Sequence, residues 1–122
     1  MAMTPELAQR VLQEIQDKMV ETSRQLGMVR GQLQAREREK RVCELTVKEL
    51  GSLGEGVAAY RAVGKMFIQE PLTGLVKELE TRKSDSEREA KNFERAASKL
   101  ERDLNETQNT WKEIMHRAQP TE

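Results

Sequence analysis

Large side chains are what this sequence has least of. Aromatics make up 3% of its 122 residues: Tyr60, Phe67, Phe93 and Trp111. The hydrophobic fraction, 36%, lies below the ~45–50% of ordinary globular domains. A compact core draws heavily on aromatic side chains, so this chain lacks the means to build a large one. A sandwich or barrel made within the chain is disfavoured, since it needs many β-branched and aromatic strands. Cysteine is limited to Cys43, so no internal disulfide forms, and a cytoplasmic or nuclear setting fits best. No apolar run approaches the ~18 residues of a membrane span. Met1–Glu6 has no basic stretch followed by an apolar one and reads as no signal peptide. Charge of one sign is missing too: 21 basic residues cancel 21 acidic ones. Nucleic acid and anionic membranes, which call for a net basic surface, are not marked as partners.

What remains is charge and period. Charged residues make up 34% of the chain, and apolar residues recur at regular spacing, which argues against full disorder. Over residues 5–50 a seam runs through Ala8, Leu12, Ile15, Met19, Thr22, Leu26, Val29, Leu33, Arg36, Lys40, Cys43, Val47 and Leu50. Its steps alternate four and three without a break, the signature of a left-handed coiled coil. Thr4 suits the cap, Pro5 the first helical position and Glu6 the first turn. A second seam over residues 71–117 runs through Leu72, Val76, Leu79, Lys83, Ser86, Ala90, Phe93, Ala97, Leu100, Leu104, Thr107, Trp111 and Ile114. In each seam ten of thirteen positions are apolar or cysteine.

Equal helices, each roughly 70 Å long at 1.5 Å per residue, point to an antiparallel hairpin. Pairing Leu50 with Leu72 sets Leu33 near Ala90, Val29 near Phe93, Met19 near Leu104 and Leu12 near Trp111. The polar seam positions Arg36 and Lys40 then face Ser86 and Lys83, with Glu37, Glu39, Glu80 and Glu87 close enough to neutralise them. Two readings are open: a polar layer that fixes register at a cost in stability, or a weak, solvated stretch. Gly27 and Gly31, each costing about 1 kcal/mol against alanine in a helix, either permit bending and close approach or stand on the open surface.

Residues 51–70 fit neither heptad and are too many for a simple loop between antiparallel helices. After the glycine-rich Gly51–Gly56 come two β-prone runs, Val57–Val63 and Met66–Gln69, flanking Gly64-Lys65: a β-hairpin signature. An isolated two-stranded hairpin is marginal in water and has unpaired edges. The inference is a part of an assembly, joined by hairpins from other chains. The remaining chemistry is sparse. Gly64-Lys65 fails a phosphate-loop pattern at Ala59 and Met66. His116 and Cys43 have no metal or triad companions. No cofactor or catalytic residue is expected. At the helix ends Met3, Leu7 and Val11 lie beside the first seam, and Trp111, Ile114 and Met115 cluster late in the second. The hairpin brings the two sets together. Plain packing and binding of another protein are both open for Leu12 and Trp111, and adaptable apolar binding is expected for Met3, Leu7, Val11 and Met115, which lie off the seam.

Helix, short β-hairpin, helix, with Tyr60-Arg61-Ala62-Val63-Gly64-Lys65-Met66-Phe67-Ile68 at the turn, resembles the β-type prefoldin subunits of eukaryotes over nearly the whole chain. The resemblance implies one mainly α domain over 1–122: helix 5–50, linker and hairpin 51–70, helix 71–117 and tail 118–122. It implies a heterohexamer of two α-type and four β-type subunits whose hairpins form a β-barrel platform. Val57, Tyr60, Val63, Met66, Phe67 and Ile68 would carry assembly. Met3, Leu7, Val11, Trp111, Ile114 and Met115 would hold unfolded actin and tubulin for the cytosolic chaperonin, without ATP or metal. A coiled-coil adaptor or tether for a folded partner is the alternative; it leaves the hairpin unexplained.

Overall fold

Thr4 opens the first helix as its residue type requires. Its Oγ1 accepts from the Leu7 backbone N–H at 3.2 Å, and its carbonyl from the Ala8 N–H at 2.9 Å. A side-chain oxygen at this position satisfies one of the amides that a helix start leaves without a partner. A computed structural model describes residues 4–118 of the chain. Helix α1 spans Pro5–Gly51, strand β1 Ala59–Val63, strand β2 Met66–Glu70 and helix α2 Leu72–Ala118. Each helix has 47 residues.

The helix ends differ from expectation by single residues. Helix α1 runs on through Gly51. Ser52 then closes it, its N–H donating to the Lys48 and Glu49 carbonyls at 3.2 Å and its Oγ to the Glu49 carbonyl at 2.7 Å. Pro71 stands just before α2 rather than inside it. Its carbonyl accepts from the Gly74 and Leu75 amides at 3.1 and 3.2 Å. Proline brings no side-chain acceptor to that cap, and the first turn of α2 holds no acidic residue.

The chain divides into two compact units. In the hairpin unit, residues 32–92, four ion pairs cross from α1 to α2: Arg36–Glu89, Glu39–Arg82, Lys40–Glu87 and Glu44–Lys83. Through Arg36–Glu89, Lys40–Glu87 and Glu44–Lys83 the partner numbers fall on α2 as they rise on α1, so the helices run antiparallel here. Cys43 is buried at 2% exposure, Ser86 at 3% and Ala90 at 8%. In the terminal unit, formed by residues up to 31 and from 93 onward, Ala8, Thr22, Leu26, Ala97 and Thr107 are buried. Arg30 on α1 pairs with Glu101 on α2 at 2.7 Å. Thr107 settles its hydroxyl in the helix by donating to the Asp103 carbonyl at 2.7 Å.

All twenty-six seam positions are buried or half-buried. The polar ones are half-buried or buried like the rest, and Arg36, Lys40 and Lys83 are tied to carboxylates. Gly27 and Gly31 leave the helix unbroken, and nothing lies within 4 Å of where a Cβ would stand. They are open-surface glycines, and no close approach within the chain explains them.

Candidate functional site

The hairpin is set by its turn. Strands β1 and β2 pair antiparallel, Val63 opposite Met66 and Ala59 opposite Glu70, with Gly64-Lys65 between. Gly64 has φ +62, and no non-glycine residue among those described has positive φ. Positive φ at the first central position alone marks a type II′ turn, whose twist matches that of the flanking strands. Glycine adopts that φ without the clash a Cβ brings.

Alternation then sorts the side chains onto two faces. Tyr60, Ala62, Phe67 and Gln69 share one face; Ala59, Arg61, Val63, Met66, Ile68 and Glu70 share the other. The first face is bare. Phe67 is 74% exposed and Tyr60 59%, and these two aromatics flank a shallow concavity. On the second face Met66, Val63 and Ile68 are exposed as well. The only half-buried positions of the two strands are Ala59, Arg61 and Glu70.

Five of the six proposed assembly residues therefore lie on the strands, and all five are exposed. Val57 is exposed but precedes β1, just after Gly56 at φ +88. Leu53, 44% exposed in the same linker, adds apolar surface that the hairpin signal did not mark. The sheet has two strands only, so among the described residues both outer edges carry unpaired backbone groups.

Arg61 went unremarked in the sequence. Its guanidinium binds both oxygens of Glu70, Nε at 2.9 Å and Nη2 at 3.2 Å, and also meets Glu78 of α2. Register could have revealed the first pair: Ala59 faces Glu70, so Arg61 lies diagonal to it on the same face. Glu78 lies off the seam and carries no such signal.

In the terminal unit Trp111 and Ile114 hold seam positions and are half-buried, as is Val11 beside the first seam. Leu7 is 50% and Met115 37% exposed. Met3 lies outside the described residues. The terminal unit thus gathers five of the proposed client residues, two of them open to solvent.

Other apolar side chains stand open on α1: Val20, Met28, Val42 and Leu45. No group of three or more His, Cys, Asp or Glu residues able to hold a metal ion occurs among the described residues. No described helix is long and apolar enough to cross a membrane.

Comparison with known proteins supports one reading of this arrangement. Prefoldin subunit 1 of Arabidopsis thaliana is 30% identical over 113 residues, 93% of this chain and 88% of that protein. The Dictyostelium discoideum protein named "Probable prefoldin subunit 1" is 28% identical over 104 residues, 85% of this chain and 90% of its own. Among solved structures, the prefoldin beta subunit from Thermococcus strain KS-1 superposes with a TM-score of 0.79, covering 99% of this chain and 100% of that one at 22% identity. It shares the two long helices and the hairpin between them. The prefoldin subunit family matches residues 13–118. Because that match takes in the turn and all but Ala8 and Leu12 of the two seams, the chain belongs to the prefoldin subunit family.

Proposed function

We propose that this chain is a β-type subunit of an ATP-independent holdase, a heterohexamer of two α-type and four β-type subunits. The observation that carries the reading is the hairpin: apolar side chains stand exposed on both of its faces, between helices that bury little beyond their seams. Val57, Tyr60, Val63, Met66, Phe67 and Ile68 join the sister subunits through strand pairing and burial, and the joined hairpins close into a barrel. Closure removes the open edges.

The terminal unit meets the client. Leu7, Val11, Trp111, Ile114 and Met115 offer apolar surface to exposed hydrophobic segments of unfolded proteins, actin and tubulin among them; Met3, outside the described residues, is assigned the same role. Such a patch discriminates little between sequences, which suits a binder of unfolded chains. The work is binding and transfer to the cytosolic chaperonin, in the cytoplasm, with no covalent step. An adaptor for a folded partner would need no exposed hairpin, and none of its features is otherwise favoured.

The test is suppression of aggregation. The assembled complex containing this chain, mixed with denatured actin, is expected to hold it soluble without ATP and release it to the chaperonin. Aggregation unchanged by an intact complex would remove the holdase reading.

A further inference from the structure

The side of the hairpin facing its own chain is nearly all apolar toward the turn and polar toward the helices. Away from the turn, the only half-buried strand residues are Ala59, Arg61 and Glu70, and the Arg61 guanidinium makes an ion pair with Glu78 of α2. Side chains of the three charged residues are between 32% and 42% exposed. A single ion pair at such exposure contributes little. A guanidinium shared between two carboxylates, one of them bound through both oxygens, differs in kind. Its planar fork fixes direction as well as distance.

We propose that Arg61 is a positioning residue for subunit assembly, its guanidinium locking the hairpin onto α2 through Glu70 and Glu78. This rests on the assembly reading above and adds the device that makes the hairpin competent for it. A free two-stranded hairpin is marginal and can swing on its linkers. Strand addition needs neighbouring backbones aligned at about 4.8 Å spacing along their length. With Arg61 in place, the Ala59–Arg61–Glu70 side is held toward α2. The Tyr60–Phe67 face and the strand edges are then presented in one orientation to the sister subunit. The pre-set angle lowers the ordering cost of each docking event. Lysine, a point charge without the fork, does not replace it.

Two measurements separate this from a general folding role. Spin labels at Lys65→Cys and Thr81→Cys in a Cys43→Ala background report the hairpin's position on α2 in the isolated chain. The Arg61→Leu change is expected to broaden the distance distribution at least twofold with helix content unchanged. The charge-swapped R61E/E78R chain again sets one guanidinium between carboxylates at 61 and 70, and is expected to restore the width. Co-expression with α- and β-type sister subunits, followed by native mass spectrometry, is expected to show at least a fivefold loss of complex for Arg61→Leu and recovery for the swap. An Arg61→Leu chain with unchanged distances overturns the lock. One that assembles like the unaltered chain overturns the role in assembly. Should the unaltered chain form no mixed complex, the assembly reading falls with the assembly role, and the label distances alone decide the lock.

Discussion

Lys40 on α1 and Glu87 on α2 stand 3.1 Å apart, and a turn along each helix Glu44 and Lys83 repeat the pair with the charges exchanged, at 3.6 Å. Two lysines at seam positions would repel and cost desolvation if left alone. Crossed carboxylates, joined by Arg36–Glu89 and Glu39–Arg82, balance them. The polar stretch of the seam is thus a charge-matched layer. A slip by one heptad would set its lysines against apolar side chains, so the layer disfavours other registers.

That pairing makes a pH prediction. The Lys40 ammonium holds the Glu87 carboxyl below its ordinary value of 4.5, and Glu87 raises Lys40 above 10.5. A lowered carboxyl pKa stabilises the fold above the ordinary value, and that contribution disappears as pH falls through the lowered one. A raised lysine pKa stabilises below its ordinary value, and is lost as pH climbs through the raised one. The stability difference between the unaltered chain and Lys40→Ala, followed by thermal circular dichroism, should be constant from about pH 5 to about pH 10. It should shrink below and above. A difference that persists undiminished at pH 2 would show the contribution to be packing.

Gly27 and Gly31 are predicted to be destabilising where they stand. Nothing lies within 4 Å of a Cβ at either position, and the helix is continuous across both. Changing each to alanine should add about 1 kcal/mol, seen as a higher melting temperature of the chain alone. A loss of stability would mean that the glycines serve a bend or a close neighbour.

Gly64 is needed for its backbone. At φ +62 a Cβ meets the following carbonyl, and Gly64→Val should cost the hairpin about 1–2 kcal/mol or more. Gly64→Asn should cost less, since asparagine occurs at the positive-φ positions of hairpin turns far more readily than a β-branched residue does. Amide hydrogen exchange over β1 and β2 reads the difference. Equal protection in the valine and asparagine variants would contradict the type II′ assignment.

The proposed client residues should separate by burial. Leu7→Ser and Met115→Ser alter exposed side chains and should change stability by less than about 0.5 kcal/mol. Together they should weaken aggregation suppression several-fold with the complex intact. Trp111→Ser removes a half-buried seam side chain and should cost about 2 kcal/mol as well. Suppression unaffected by the double serine change would take client binding away from these two positions.

Period made most of this fold readable. Every seam residue from Ala8 to Ile114 is buried or half-buried, because a heptad has one inward face and the chain keeps it without a break. Gly64 between two β-prone runs sufficed for the hairpin, since few residues take that turn. Boundaries moved where local hydrogen bonding decides: Ser52 carries α1 past Leu50, Pro71 caps α2 from outside, and Val57 falls short of β1. Tertiary pairs off the seam had no signal. Arg61 reaches Glu78 because the hairpin folds against α2, and no spacing rule encodes that meeting. The few aromatics also take on meaning only in place. Tyr60 and Phe67 are bare on the hairpin, while Phe93 and Trp111 are half-buried in the seam.

In the proposed assembly, exposed hairpins and not the helix seams join this chain to its sister subunits. Native mass spectrometry of the full chain co-expressed with α- and β-type prefoldin subunits tests it most directly. The expected product is a mixed hexamer that includes this chain and is lost when Tyr60 and Phe67 are both changed to serine. A homodimer of the chain alone, or a hexamer indifferent to those two changes, would contradict it.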